Sequence, residues 1–353
     1  MPPEAPLFSI IIPVYNRPEE VDELLDSLCG QSFRSFEVIV VEDGSERDCR
    51  QVVQLYKERL PVQYIYKQNS GPSASRNRGA QDARGDYLLF LDSDCLTPPH
   101  FLKAIYDFLQ KEKAACFGGP DTAHPGFSPI QKAINYAMTS RLTTGGIRGG
   151  KHFNPYRFLP RSFNMGVQKK VFQEVKGFAE DMRFGEDIDL SLRIRAHGYP
   201  TVLIPEAWVY HKRRTKLWQF FKQIYNSGMA RVYLSERHPG TLKLIHLLPS
   251  CFVLFVAASL LLALVSPFAL LPLLFWALLI FMDALVNYRY PLRVALTAVA
   301  AAFLQLTAYG IGFLHAWVRR KLLRLPQKHA FVKRFYECSS SMVSICWRAP
   351  KNS

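Results

Sequence analysis

The first part of the chain alternates short apolar runs with segments of helical periodicity, and this alternation constrains the fold more than any other feature. It predicts strands at residues 8–14, 36–41, 62–66 and 87–91. It predicts helices between them at residues 18–29, 46–60 and 73–83. Strands that alternate with helices are typical of an α/β fold. The sequence therefore predicts a largely parallel sheet with helices on both faces.

Acidic residues stand at the ends of two predicted strands. Asp43 follows the second strand, and Asp92 and Asp94 follow the fourth with Ser93 between them. In sheets of this kind, ligands bind beyond the carboxyl ends of the strands. Two carboxylates that flank one residue can bind one divalent cation, and hard oxygen ligands favour Mg²⁺ or Mn²⁺. Such an ion would bridge diphosphate oxygens and stabilise a leaving group. An isolated Asp-x-Asp triplet is more often a solvated turn, so this motif depends on its neighbours.

Three other groups of residues are candidates for binding or catalysis. Asp43 can accept hydrogen bonds from a base or a ribose, although Asp-Gly is also a common turn. Arg76 presents a bidentate fork that suits phosphate, and a solvated helix face is the alternative. Glu186 and Asp187 begin an acidic run that includes Asp189, and a carboxylate there can deprotonate an acceptor hydroxyl. Acids that favour the dipole of a helix N-terminus explain the same run without chemistry.

Three hydrophobic blocks near the C-terminus approach or reach the ~20 apolar residues that a membrane-spanning helix needs. They lie at residues 244–265, 268–286 and 294–318. The short Ser266-Pro267 link predicts a tight hairpin, and Asp283 is expected at the interface or between helices. Basic segments flank the third block on both sides, and the positive-inside rule places both of them in the cytoplasm. Three full spans would instead put them on opposite sides of the membrane. Either this block does not fully span, with a break at Gly310 and Gly312, or the basic tail is translocated.

These features divide the chain into four predicted parts. A catalytic domain covers residues 1–214, an amphipathic interfacial helix region covers 215–243, two to three transmembrane helices cover 244–318, and a basic tail covers 319–353. A Gly-rich loop at 143–160 is expected over the site. The net charge of +15 suits anionic ligands or an acidic membrane face, and no nucleic-acid-binding signature is present. The seven cysteines form no Cys-x-x-Cys pair, and no cleavable signal peptide is expected.

Five motifs occur in order along residues 7–211, and together they are far more specific than any one of them. They are Pro13-Val-Tyr-Asn16, Glu42-Asp-Gly-Ser45, Gly71-Pro-Ser-Ala-Ser-Arg-Asn-Arg-Gly79, Phe90-Leu-Asp-Ser-Asp94 and Gly185-Glu-Asp-Ile-Asp-Leu190. This set resembles the family 2 glycosyltransferases. The resemblance implies a GT-A fold, which is a Rossmann-like, mixed and mostly parallel sheet with helices on both faces.

The resemblance also implies roles for individual residues on the donor side. Asp43 would hold the uracil or ribose side of a nucleotide. The other residues expected to contact the nucleotide-sugar are Pro13, Tyr15, Asn16, Arg76, Asp92, Ser93 and Asn164.

Roles in metal binding and catalysis follow in the same way. Asp94 and Asp92 would ligate Mg²⁺ or Mn²⁺, and His211 stands where some relatives place a metal- or phosphate-contacting histidine. A lone histidine is also often structural. Asp187 would be the catalytic base, with Glu186 beside it near the acceptor.

The sequence also departs from the processive members of the family, which carry a Gln-x-x-Arg-Trp motif. The segment at residues 219–226 lacks it, which favours transfer of one or a few sugars. The expected function is inverting transfer from a UDP- or GDP-linked sugar to a cell-envelope glycan or lipid-linked acceptor. The chain would be an integral membrane protein of the bacterial inner membrane with a cytoplasmic catalytic domain. The alternatives are a polyprenyl-phosphate sugar transferase and a non-catalytic membrane scaffold with a nucleotide-binding domain. A sugar nucleotidyltransferase is disfavoured because Pro13-Val-Tyr-Asn16 replaces a Gly-rich phosphate loop.

Overall fold

The structure is a computed structural model that describes residues 6–124, 126–144, 158–328 and 330. The described residues form two compact units. The first unit comprises residues 6–124 and 158–212, and the second comprises residues 126–144 and 213–330. Residues 126–144 therefore pack with the C-terminal helices, although the sequence analysis groups them with the catalytic domain.

The first unit is an α/β domain. Its strands are β1 (Phe8–Val14), β2 (Phe36–Asp43), β3 (Val62–Lys67), β4 (Tyr87–Leu91), β5 (Cys95–Leu96), β6 (Cys116–Gly118), β7 (Asp121–Thr122), β8 (Asn164–Gln168), β9 (Thr201–Leu203) and β10 (Val209–His211). Its helices are α1 (Pro18–Cys29), α2 (Arg50–Tyr56), α3 (Pro72–Asp82), α4 (Phe101–Lys111), α7 (Lys169–Glu174) and α8 (Glu186–Ala196). The second unit contains α5 (Pro129–Thr139), α6 (Arg141–Thr144), α9 (Leu217–Arg237), α10 (Leu248–Leu262), α11 (Leu271–Val286) and α12 (Leu292–Trp317).

Seven strands form the main sheet in the order β3-β2-β1-β4-β8-β6-β9. Strands β1, β2, β3 and β4 pair in parallel, and so do β6 and β9. Strand β8 is antiparallel to both of its neighbours. The predicted mixed, mostly parallel sheet is therefore confirmed. A small second sheet, in the order β5-β10-β7, was not predicted.

Helices cover both faces of the main sheet, as the sequence predicts. Alternate residues of β1 point to opposite faces, because the side chains of a strand alternate. Ile10 and Ile12 pack in one apolar cluster with Leu24 of α1. Ile11 packs in a second cluster with Ala80 of α3. Burial on both faces explains why these strands read as continuous apolar runs.

The predicted helix at residues 46–60 is wrong in its bounds. The structure places a helix only at Arg50–Tyr56. At its start, Cys49 is the N-cap, and its backbone N–H donates to Glu42 Oε2 at 2.9 Å. At its end, Leu60 precedes Pro61, and a residue before proline is disfavoured in helical conformation.

Helix α12 is continuous, so the predicted break at Gly310 and Gly312 is wrong. Both glycines instead allow neighbouring helices to approach closely. A Cβ at Gly310 would lie 2.3 Å from the carbonyl oxygen of Pro249 in α10. A Cβ at Gly312 would lie 2.1 Å from the carbonyl oxygen of Tyr225 in α9. These glycines serve helix packing, which overrides their weak helix propensity.

Two helical segments are long and apolar enough to cross a membrane, Pro267–Val286 and Leu292–Leu322, while Leu248–Leu262 is a shorter apolar helix. Length and composition alone are weak support for membrane spans. Asp283 lies between helices, as the sequence analysis allowed. Its Oδ2 accepts hydrogen bonds from the hydroxyls of Tyr136 (2.7 Å) and Ser140 (3.1 Å).

Candidate active site

The acidic motifs meet at the carboxyl edge of the main sheet. Asp43 is the last residue of β2, and Asp92 directly follows β4. Since β1 pairs in parallel with both β2 and β4, the carboxyl ends of all three strands lie at one edge. The sheet therefore places both motifs where ligands bind in open α/β folds.

The carboxylate of Asp43 organises the loop that leads into α3. Oδ1 accepts a hydrogen bond from the backbone N–H of Ser70, and Oδ2 accepts one from the backbone N–H of Gly71, both at 2.9 Å. Lys67 Nζ forms an ion pair with the same carboxylate. The Asp43 side chain is buried, and these contacts fix its orientation. Oδ1 already accepts from Lys67 and Ser70, whereas Oδ2 has a second lone pair beside the bond from Gly71.

Asn16 connects the ends of β1 and β2. Its backbone has a φ of 54°, a left-handed conformation that asparagine tolerates better than most residues. Its N–H donates to Ser45 Oγ at 2.7 Å, and its Oδ1 accepts from the N–H of Arg47 at 3.0 Å. The predicted nucleotide-pocket residues Pro13 and Tyr15 lie beside this junction, in β1 and directly after it.

Arg76 is buried, so the interpretation of this arginine as part of a solvated helix face is wrong. Its guanidinium donates to Asp92 Oδ1 at 2.7 Å and to Glu186 Oε1 at 3.2 Å. It also lies over the Phe178 ring, 5.4 Å from the centroid. Arg78, on the outer part of α3, instead pairs with Asp82. Arg76 thus connects two acidic motifs that are far apart in sequence.

The Asp92-Ser93-Asp94 triplet forms a tight turn between β4 and β5. The N–H of Cys95 donates to the carbonyl oxygen of Asp92 at 3.0 Å, which closes the turn. Ser93 and Asp94 are buried, whereas the Asp92 side chain is 31% exposed. The turn therefore leaves the Asp92 carboxylate partly accessible.

Asp94 lies between two basic side chains. Arg17 Nη1 donates to its Oδ2 at 2.6 Å, and His211 Nε2 lies 3.3 Å from its Oδ1. The His211 ring stacks on Phe163 with centroids 4.6 Å apart. Its buried Nδ1 has no hydrogen-bond partner among the residues that the structure describes. Sequence reasoning missed Arg17, because no local pattern connects it to a carboxylate 77 residues away.

Asp94, Cys95 and His211 bring three potential metal-ligating atoms within 4.8 Å of one another. Burial raises the pKa of the Cys95 thiol, and the neighbouring Asp94 and Asp92 raise it further. The thiol also contacts the carbonyl oxygen of Phe163 at 3.5 Å. A neutral thiol is a poor ligand for a hard cation. The donor set that suits Mg²⁺ or Mn²⁺ is therefore Asp94 and His211, together with Asp92 from the same turn.

Glu186 and Asp187 begin α8 after Gly185, whose φ of 81° is left-handed. Burial raises the pKa of the Glu186 carboxyl to about 7, and neighbouring Asp187 adds to the increase, whereas Arg76 opposes it. The N–H of Ile188 donates to Asp187 Oδ1 at 2.7 Å. Arg161 Nη1 and the N–H of Ser162 approach the same carboxylate at 3.5 Å. These contacts fix the position of the Asp187 carboxylate.

Asn164 is buried at the start of β8. Its Nδ2 donates to the carbonyl oxygen of Ala207 at 2.8 Å, which connects β8 to the segment before β10. This hydrogen bond fixes the orientation of the Asn164 side chain. Most of the predicted Gly-rich loop at 143–160 lies outside the described residues.

The fold is an α/β domain of the GT-A type, with acidic residues at the carboxyl edge of its main sheet. Residues 9–176, just under half of the chain, match the family model for glycosyl transferase family 2, and this segment belongs to that family. It is 30% identical over 231 residues to validoxylamine A glucosyltransferase from Streptomyces hygroscopicus subsp. jinggangensis, an alignment that covers 58% of this chain and 54% of that protein. The chain thus spans about half the length of this relative.

One further sequence relative and one solved structure are similar to this chain. An uncharacterised glycosyltransferase from Haemophilus influenzae is 29% identical over 245 residues, covering 67% of this chain and 79% of that protein. The solved structure of the mannosyltransferase PcManGT from Pyrobaculum calidifontis, in complex with GDP-Man and Mn²⁺, superimposes with a TM-score of 0.61 at 17% identity. It covers 86% of this chain and 88% of that one. At this identity the likeness establishes the fold alone.

Proposed function

We propose that the chain is an inverting glycosyltransferase that moves a sugar from a nucleotide-diphospho-sugar to a glycan or lipid-linked acceptor of the cell envelope. The observation that carries the proposal is the bridge from Arg76 to Asp92 and Glu186. It joins the turn that suits a donor diphosphate to the acidic pair that suits deprotonation of an acceptor. Sugar transfer needs both functions in one site, because the reacting groups must be held together.

The donor would bind along the carboxyl edge of the main sheet. Asp43 would accept a hydrogen bond from the base or ribose with the second lone pair of its Oδ2, which accepts from Gly71 with the first. Arg76 and Arg17 would add positive charge near the diphosphate. The remaining donor contacts in this proposal are Pro13, Tyr15, Asn16, Asp92, Ser93 and Asn164.

A divalent cation fits the residues present. Asp92, Asp94 and His211 would hold it, and carboxylate and imidazole ligands both suit Mn²⁺ while carboxylates suit Mg²⁺. The buried Nδ1 of His211 is a polar atom whose partner is not found among the described residues, as expected near a ligand site. When bound, such a cation neutralises charge that develops on the leaving diphosphate.

Asp187 and Glu186 have different proposed roles in deprotonation of the acceptor. Asp187 is the proposed base, and the N–H of Ile188 and the nearby Arg161 hold its carboxylate in position. Glu186, whose pKa lies at about 7, is partly protonated at neutral pH. A neutral Glu186 reduces the electrostatic repulsion between the two side chains. This arrangement follows the rule that neighbouring titratable groups take separate roles when their environments differ.

The relatives support a nucleotide-sugar donor and a divalent cation. PcManGT shares the fold and binds GDP-Man and Mn²⁺. The absence of the Gln-x-x-Arg-Trp motif at residues 219–226 supports transfer of one or a few sugars. The apolar C-terminal helices support a membrane location, with residues 1–214 as a cytoplasmic catalytic domain at the bacterial inner membrane.

A donor panel tests this proposal. The full-length protein in detergent is incubated with UDP-, GDP- and dTDP-sugars, with Mn²⁺ or with a chelator, and nucleotide release is measured with and without membrane lipid extract. We expect Mn²⁺-dependent release from one donor class, increased by lipid and reduced at least about 100-fold in Asp187→Asn. Asp107→Asn, on the exposed side of α4, is the matched control. No release from any donor, with no nucleotide binding, would instead support a non-catalytic scaffold.

A further inference from the structure

Residues 247–282 contain no charged side chain, and they form a helical hairpin from α10 and α11. Its tip is apolar and strongly exposed: Leu264 is 84%, Val265 89% and Phe268 74% exposed. The buried residues of its two helices are only Ser250, Ser259, Ile280 and Ala284. An apolar surface of this extent does not remain in water, but it matches the hydrocarbon core of a bilayer.

Helix α12 has a different environment from the hairpin, although its length and composition also suit a membrane span. Much of it is buried by protein. Its Ala295, Ala298 and Ala302 pack with residues of α5 and α9 in one apolar cluster. Its Phe313 and Ala316 pack with α9 in a second cluster. Protein contacts therefore cover one side of α12, whereas α11 buries only Ile280 and Ala284.

The contact between α12 and α9 brings their backbones together. A Cβ at Gly228 of α9 would lie 2.2 Å from the carbonyl oxygen of Tyr309, and one at Gly312 of α12 would lie 2.1 Å from that of Tyr225. At the end of both helices, Glu236 of α9 pairs with Arg320 at 2.8 Å and with Lys321 at 3.4 Å. The two helices thus run side by side over several turns.

Helix α9 cannot lie in hydrocarbon, because polar and charged residues recur along it. Lys222, Asn226, Arg231 and Glu236 stand on successive turns. A charged residue at the centre of a membrane helix costs about 2.5–3.5 kcal/mol on insertion scales. A helix that packs along α9 must stay at the depth of α9. The polar α9 therefore keeps the C-terminal half of α12 outside the hydrocarbon core.

The hairpin meets α12 at its base rather than at its tip. Pro249 and Ser250, at the start of α10, contact Gly310, and Phe252 packs on Phe303 with ring centroids 5.5 Å apart. On the other arm, Ile280 and Ala284 join the cluster that contains α12. Helix α12 thus lies between the polar α9 on one side and the base of the apolar hairpin on the other.

We infer that α12 does not cross the bilayer but lies in the plane of the interface, and that the α10–α11 hairpin is the inserted segment, entering and leaving on the same side. The partner surface is the hydrocarbon core of one membrane, bordered by anionic headgroups. The basic segments at 288–293 and 319–328 then lie on one side, as the positive-inside rule requires. Three complete spans would separate them. This inference is independent of the proposed catalytic chemistry.

Cysteine labelling from each side of the membrane tests the inferred topology. The exposed positions Lys111, Arg293 and Lys328 are replaced one at a time by cysteine, in full-length protein in which Cys29, Cys251, Cys338 and Cys346 are serine. A membrane-impermeant maleimide is applied to spheroplasts and to inverted vesicles of a bacterial host. We expect Arg293→Cys and Lys328→Cys to label from the same side as Lys111→Cys. Labelling of Arg293→Cys and Lys328→Cys from opposite sides would show that α12 crosses and would overturn the inference.

Charge at the hairpin tip tests insertion itself. In Leu264→Lys/Val265→Lys, two ammonium groups replace apolar side chains that we place in hydrocarbon, so most of the protein should leave carbonate-washed membranes. The matched control is Leu55→Lys, a leucine of the first unit that is 74% exposed, and it should stay in the membrane fraction. Protection of the buried Cys49 and Cys116 from thiol reagents shows that the first unit of each variant is folded. Full membrane retention of the tip variant would overturn the inserted hairpin.

Discussion

Replacing Glu186 with glutamine should change how the stability of the first unit depends on pH. The carboxyl has a pKa of about 7 in the fold, against 4.5 for an unperturbed glutamate. Since the folded pKa is the higher one, the folded state binds more protons, and the free energy of unfolding falls as pH rises from 4.5 to 7. A difference of about 2.5 pKa units corresponds to ~3 kcal/mol. Glu186→Gln removes this titration, so its stability relative to wild type should increase by that amount between pH 4.5 and pH 8.

Pulsed labelling of buried thiols can measure this difference in the full-length protein. Cys49 and Cys116 are fully buried in the first unit, so they react only when that unit opens. Urea midpoints for these two cysteines are compared between wild type and Glu186→Gln at each pH, so the pH dependence of thiol chemistry cancels. The difference in midpoint should grow by ~1–2 M urea from pH 4.5 to pH 8. Glu112→Gln, on the exposed end of α4, should show no such growth. A difference that is the same at both pH values would refute the account of Glu186.

Three further predictions follow from single contacts. Arg76→Met removes the guanidinium that pairs with the buried Glu186 and the partly exposed Asp92, and should lower the stability of the first unit by ~3 kcal/mol in the same thiol assay. Gly312→Ala forces a Cβ to within 2.1 Å of a carbonyl oxygen, and should lower the melting temperature in detergent, whereas Ile311→Ala at an exposed neighbouring position should not. Asp283→Leu leaves the Tyr136 hydroxyl without its carboxylate acceptor and should cost ~1–3 kcal/mol, measured by thermal unfolding against Asp283→Asn, which retains an acceptor.

The sequence predicts best those strands and helices whose apolar residues follow one regular burial pattern. The bounds of β1, β4 and α1 match the prediction, because each strand is almost entirely apolar and α1 has one apolar face. The small sheet of β5, β10 and β7 could not be predicted. Its strands have two or three residues, which is too short for any periodicity to appear.

The candidate site was predicted in its residues but not in its connections. Asp92, Asp94 and the Glu186–Asp187 pair stand out in sequence because they follow a strand or begin a helix. Arg76 lies in a segment of α3 that reads as a polar surface, yet it is buried. Its partners come from elements 16 and 110 residues away, and only the folded chain brings them together.

Gly310 and Gly312 in α12 are a second case in which local sequence does not report a contact with a distant element. Gly310 and Gly312 suggest a helix break, because glycine is a weak helix former. Their actual role depends on backbone contacts with α10 and α9. No local pattern reports which helix will lie against a glycine, so sequence reasoning could not separate a break from a close approach.

Binding of a nucleotide diphosphate and its cation tests the central claim most directly. Isothermal titration of UDP and GDP into the full-length protein is carried out with Mn²⁺ and with a chelator, for wild type, Asp94→Asn and the control Asp107→Asn. The account predicts Mn²⁺-dependent binding of at least one nucleotide that is weakened at least about 10-fold in Asp94→Asn and unchanged in Asp107→Asn. Equal affinity with chelator, or an unaltered affinity in Asp94→Asn, would contradict a metal-assisted donor site at the Asp92-Ser93-Asp94 turn.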